Sequence, residues 1–254
     1  MPIEFILMAG ILGALIGSFL NVLIYRLPRN KDFVMARSAC PHCGDPIPFY
    51  LNVPLLGFAI LLGRCRACKA RIHWRYPVVE LFSALVFAGS LPLHDDMASI
   101  YTYVMTCAVS CALIVHFFID LEHKLLLDKI NVYLLLLILP YSVIFLTFDH
   151  WVWGALIGFG GPLLISWAFY KLKGKVGLGG GDIKLWGVLG LLLGPIGILE
   201  NIFLSSFLGS LVGVALMARK SYQADQGIPF GPFIIVVAMA QLYFPEFMRT
   251  ISIF

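Results

Sequence analysis

The sequence predicts an all-α polytopic membrane protein with about eight transmembrane helices and a small cytoplasmic zinc-binding module of four cysteines. Three observations predict it. Hydrophobic residues make up 60% of the 254 and charged residues only 13%, against about 45–50% and roughly 25% in a soluble domain. Mean hydropathy is +0.92. The apolar residues come in solid runs such as 132–146, not in the in/out alternation of a membrane strand. Finally, the basic residues recur at every second connection between runs. Since lipid admits only helices or closed barrels, a soluble globular enzyme, a disordered chain and a fibrous repeat are excluded.

Residues 3–25 form the first run. Glu4 is its only early charge, and no small-residue cleavage site precedes Arg26, so it lacks the marks of a secretion signal. It is long enough to cross a ~30 Å hydrocarbon core and reads as a retained helix, residues 1–25. Residues 26–77 carry nine of the 18 basic residues (Arg26, Arg29, Lys31, Arg37, Arg64, Arg66, Lys69, Arg71 and Arg75), six prolines and four of the six cysteines. Basic segments stay in the cytoplasm, which places this module inside and the N-terminus outside. Residues 78–254 then form a seven-helix membrane domain, with spans expected at 78–91, 99–119, 130–146, 151–170, 183–197, 202–217 and 230–243. The connections expected inside hold Lys124/Lys129, then Lys171/Lys173/Lys175/Lys184, then Arg219/Lys220. Those expected outside hold His94/Asp95/Asp96, Asp149/His150 and Glu200, with no lysine or arginine.

Within the module, Cys40-Pro41-His42-Cys43 and Cys65-Arg66-Ala67-Cys68 stand 21 residues apart. Two such CxxC pairs can place four thiolates tetrahedrally around Zn²⁺, and Gly44 supplies the turn after the first. Two disulfides or four free thiols are the alternatives; a cytoplasmic location disfavours disulfides. With all four positions filled by protein the metal would be structural. His42 and His73 read as surface residues, and Cys107 and Cys111 as small buried hydrophobes.

Two acids fall where spans meet the cytoplasmic face: Asp120, in Ile119-Asp120-Leu121-Glu122-His123, and Asp182, after Gly179-Gly180-Gly181. Ionisable groups at membrane depth are costly and functional by default. Two carboxylates about 3 Å apart cannot both ionise and share one proton. One can then activate water while the other protonates a peptide carbonyl. The three glycines would let backbone approach a substrate strand closely. Plainer readings stand beside this one. Asp182 occupies the place of a helix N-cap, Asp128 and Glu80 compete as partners for Asp120, and Glu122 and Asp225 read as solvated loop charges. A transporter would place its charges nearer mid-membrane; a zinc-stapled scaffold would not need the aspartates at all.

Several segments together resemble the bacterial type IV prepilin peptidases, a GxGD-type family of intramembrane aspartyl proteases. They are Gly17-Ser18-Phe19-Leu20-Asn21-Val22, Tyr25-Arg26-Leu27-Pro28, the two cysteine pairs with Pro46-Ile47-Pro48, Asn52-Val53-Pro54-Leu55, Arg75-Tyr76-Pro77 with Val79-Glu80-Leu81, both acidic motifs, and Pro229-Phe230-Gly231-Pro232. The resemblance runs in order over nearly the whole chain. It implies an inner-membrane enzyme of two activities: removal of the basic leader of type IV prepilins and type II secretion pseudopilins after a glycine, then N-methylation of the new first residue, usually phenylalanine, by S-adenosylmethionine. It maps the catalytic aspartates onto Asp120 and Asp182, and no residues for the methyl donor follow from it; Gly179, Gly180, Gly181 and Glu80 are expected, from their own chemistry and position, to support the site. The partners implied are these substrates and the bilayer, with no nucleic acid. One departure is Leu127, where the family often has proline before the aspartate.

Overall fold

The computed structural model describes residues 2–32, 38–92, 94, 96–175, 177–218 and 228–251, the last three by backbone only. Arg37, Asp95, Arg219, Lys220 and Asp225, which entered the charge pattern above, lie outside the described residues. Those described are helical, with isolated bridges and no strand, and they divide into two compact units, Met1–Val115 and His116–Phe254.

In the first unit, α1 (Ile3–Arg26) packs along α3 (Arg75–Gly89). Between them lie two cysteine-bearing loops and a short α2 (Leu56–Ile60). The Gly17–Asn21 segment is a helix-contact device. A Cβ at Gly17 would sit 2.8 Å from Glu80 Cα, and Asn21 Nδ2 donates to Tyr76 O at 3.1 Å. Close backbone approach together with a polar clasp is how helices associate where lipid tails remove the hydrophobic drive. α4 (Met97–His123) begins in this unit, where Tyr103 stands edge-on to Phe87.

The second unit holds the end of α4, α5 (Asp128–Phe145), α6 (Phe148–Lys173), α7 (Gly180–Ala218), α8 (Gly231–Tyr243) and α9 (Pro245–Ile251). α6 and α7 touch through Gly154 and Gly190, where a Cβ on either would collide with the other's backbone. α7 is a hairpin. Gly194 is non-helical, with φ 71° and ψ −176°, and Pro195 follows it. Fifteen residues of straight helix would separate Trp186 from Asn201 by about 22 Å, yet Trp186 Nε1 donates to Asn201 Oδ1 at 3.0 Å. The chain therefore turns back at Gly194, and the limbs 180–193 and 195–218 lie side by side. Asn201 Nδ2 donates to Gln241 Oε1 on α8 at 3.0 Å, and Gln241 Nε2 returns to Gly197 O at 2.7 Å.

Several polar side chains are buried within the largely apolar interior, while many large apolar side chains point outward. Ser142, Asn201 and Ser205 are fully buried, whereas Leu136, Ile144, Leu164, Ile165 and Val214 are each more than half exposed. That is the distribution expected of helices solvated by hydrocarbon, where each buried polar group needs an internal partner. Among the described residues, five helices, α1 and α4 to α7, are long and apolar enough to cross a membrane. α3 and α8 have 15 and 13 residues. The sequence placed Glu200 in a connection. It lies instead within the second limb of α7, because the turn comes at the Gly194-Pro195 pair, where the missing Cβ permits the left-handed φ and proline suits a helix start.

Candidate functional site

Three helix ends meet at one place in the second unit. Asp120 lies three residues before the end of α4, Asp182 in the first turn of α7, and Gly231 opens α8. Asp120 is 5% exposed, and its Oδ2 accepts the backbone N–H of Gly231 at 2.9 Å. Asp182 is half-buried, and the two carboxyl groups are near enough for their charges to interact. Leu126, in the loop after α4, wedges the ends together: its Cβ lies 2.8 Å from where a Cβ would stand on Gly181, and its Cδ2 3.0 Å from the same point on Gly231. Helix α7 starts at Gly180, so Asp182 is inside the first turn and not the cap residue.

Of the sequence candidates, Asp120 and Asp182 come together, with two of the three glycines beside them. A Cβ on Gly179 would stand 2.7 Å from Asp182 Oδ2, one on Gly181 would strike Leu126, and one on Gly180 would meet nothing within 4 Å. Asp128 is not the partner of Asp120. It is exposed and ion-paired with Lys184 Nζ at 2.8 Å. Leu127, with φ −77° and ψ 126°, holds the extended shape that proline would impose. Glu122 is exposed in the last turn of α4. Sequence reasoning assigned no role to Gly231 or Leu126. The Phe-Gly-Pro string at a helix start was the available signal for Gly231, whereas a leucine in a loop carries none.

Glu80 belongs to the first unit. It is 7% exposed and accepts the N–H of Leu55 at 2.8 Å, holding the Asn52–Leu55 loop where Leu55 takes φ 62°.

The four cysteines converge in the same unit. Their Sγ atoms all lie within 4.8 Å of one another, Cys40 and Cys68 at 3.9 Å, and none is disulfide-bonded. Tetrahedral Zn–S bonds of about 2.3 Å require S···S edges of about 3.8 Å, so the donors fit one ion with small adjustments. The two loops are copies of each other. Cys40 N donates to Asp45 O and Cys65 N to Ala70 O, at 2.9 and 2.8 Å. Gly44 and Lys69, each directly after the second cysteine, take φ 73° and 59°. The sequence signals that turn at Gly44 but hides it at Lys69. Backbone N–H groups of Cys43 and His42 aimed at Cys40 pull its thiol down to about 6. At Cys43 the backbone N–H of Asp45 acts in the same sense, but burial and the neighbouring sulfurs prevail and push it up to about 12. His42 and His73 are exposed and outside the cluster.

Comparison with known proteins agrees with this geometry. Residues 11–92 match the family profile described as bacterial peptidase A24 N-terminal domain, and residues 107–214 match the type IV leader peptidase family. A prepilin leader peptidase/N-methyltransferase from Stutzerimonas stutzeri is 32% identical over 95% of this chain and 91% of that protein. The protein of the same name from Pseudomonas aeruginosa is 32% identical over 98% and 94%, and that from Aeromonas hydrophila 34% over 90% and 87%. No solved structure matches the chain at a significant level. With aspartates from two distant segments at one helix-end junction, and this identity across almost its entire length, the chain belongs to the type IV prepilin leader peptidase/N-methyltransferase family.

Proposed function

We propose that Asp120 and Asp182 form the peptidase centre of an enzyme that cleaves prepilins and methylates the product. Cleavage with methylation is the paired activity of the family. The observation that carries the assignment to these residues is the meeting of α4, α7 and α8, where Asp120 is oriented by the Gly231 amide and faces the charge of Asp182. Brought to about 3 Å around a bound substrate, two such acids share a proton. The ionised one takes a proton from water as the hydroxyl adds to the scissile carbonyl carbon. The protonated one gives its proton to the carbonyl oxygen. Collapse of the tetrahedral species passes a proton to the leaving amine, with no metal or covalent intermediate required.

The natural substrates extend to type II secretion pseudopilins, with cleavage after a glycine that ends a basic leader. The enzyme sits in the inner membrane with eight spans, and its site and cysteine module are cytoplasmic. The alternation of lysine and arginine supports this sidedness, and the hairpin at Gly194 supports two spans within α7. A reporter enzyme fused after Met217 should therefore remain cytoplasmic; export of that fusion would overturn the arrangement. The four thiolates hold a structural zinc. Purified protein should contain one zinc per chain by elemental analysis, and Cys40→Ser should lose it, whereas disulfides found by mass spectrometry would reject the site. S-adenosylmethionine supplies an electrophilic methyl group for the new amine. Among the described residues there is no strand, hence none of the strand–turn–helix cradles that hold it in soluble methyltransferases, and no residue is assigned to that step.

Incubating a prepilin with the enzyme and labelled S-adenosylmethionine tests the whole reading. Wild type should give a shortened, labelled pilin. Uncleaved prepilin with wild-type enzyme, or full cleavage by either aspartate variant, would refute it.

A further inference from the structure

On the side of α7 away from the aspartates runs a groove between α5, α6 and the first limb of α7, with a volume of about 470 Å³. Its walls are apolar, formed by Leu135, Leu139, Phe159, Val188 and Leu191. Lys184 opens it and follows Asp182 by two residues, about 200° around the helix, so the groove and the candidate active site use opposite faces. Asp128 completes the mouth. Its carboxylate meets Lys184 Nζ at 2.8 Å, both side chains more than half exposed. One turn further in lies Asn131, 4% exposed. His116 Nε2 engages its Oδ1 at 3.1 Å, while its buried Nδ2 has no hydrogen-bond partner among the described residues.

We propose that this groove binds one phospholipid whose zwitterionic headgroup carries a primary ammonium. The lining residues of α5 run from Asp128 to Leu139, about 17 Å of helix. That length matches one acyl chain spanning half of a ~30 Å hydrocarbon core. Charge then selects the headgroup. The mouth offers one cation and one anion side by side, the complement of a phosphate and an ammonium. An exposed ion pair of this kind contributes little and exchanges readily for the two halves of the headgroup, phosphate to Lys184 and ammonium to Asp128. A purely anionic headgroup would gain Lys184 but face Asp128. Bulk lipid tails are as apolar as the groove walls, so occupancy depends on the headgroup and is selective for it.

Native mass spectrometry of the full-length protein in detergent, titrated with phosphatidylethanolamine, phosphatidylcholine or phosphatidylglycerol of identical acyl chains, tests this. Wild type should retain one phosphatidylethanolamine at about fivefold lower concentration than either alternative. Lys184→Gln and Asp128→Asn should each erase that preference. Leu135→Trp, which fills the groove, should abolish retention of all three, whereas Leu136→Trp, on the outward face, should not; thermal melts would establish that each variant is folded. Equal retention of the three lipids by wild type, a preference for phosphatidylglycerol, or retention unaffected by Leu135→Trp would overturn the proposal. Capture of a prepilin segment instead of lipid by a photo-crosslinker at Leu135 would do so too.

Discussion

Asp120→Asn and Asp182→Asn are each expected to lower prepilin cleavage by roughly a thousandfold or more, the upper range for loss of a general acid or base. The replacement is nearly isosteric, and at position 120 the amide oxygen can still accept the Gly231 N–H now held at 2.9 Å. Membrane insertion and thermal stability should therefore survive. The two losses should not add in the double variant, because a shared proton requires both partners and residues acting as a unit are grossly non-additive. Methylation of a pilin supplied already cleaved should persist in each, since its amine is already free. A gel-shift assay of prepilin with each variant, beside methyl incorporation into mature pilin, separates these outcomes. Losses in the singles that multiply in the double would mean that the two carboxyl groups act separately.

Gly231→Ala is the second large effect. A Cβ there would stand 2.8 Å from Asp120 Oδ2 and 3.0 Å from Leu126 Cδ2. Both obstacles are tips of side chains that can swing away, so the fold should tolerate the methyl group. The carboxylate cannot move without leaving its position, and a displacement of about 1 Å is worth about a hundredfold in rate. The expected signature is a collapse of kcat for cleavage with an unchanged melting temperature. Gly180→Ala is the matched control, because nothing lies within 4 Å of the added atom; it should cleave at near wild-type rate. If Gly231→Ala retains full activity, the amide contact to Asp120 is incidental to catalysis.

Much of this was legible beforehand because it rests on patterns with one physical solution. Long apolar runs have to be helices in lipid, and seven of the expected spans begin within three residues of an observed helix: 3–25, 78–91, 99–119, 130–146, 151–170, 183–197 and 230–243. The eighth, 202–217, falls inside the return limb of α7. Paired CxxC motifs announced the sulfur cluster, since those side chains gather for little else in such an array. Less legible was the turn in α7, where the charge of Glu200 was given more weight than the Gly194-Pro195 pair. Charge reports which side of a membrane a segment prefers, whereas backbone freedom decides where it can bend. Gly179, Gly180 and Gly181 look alike in the sequence, but only their neighbours distinguish the two in close contact from the one in open space.

By itself, then, the sequence determined the helical membrane class, the four sulfur donors and the two acids, because hydropathy, spacing and residue chemistry are local properties that each segment carries alone. Only the tertiary structure decided that the helix ends bearing Asp120 and Asp182 meet, that the Gly231 amide holds Asp120, and that Lys184 occupies Asp128. Those relations join residues 56 to 111 positions apart, and no local pattern encodes which helix ends meet.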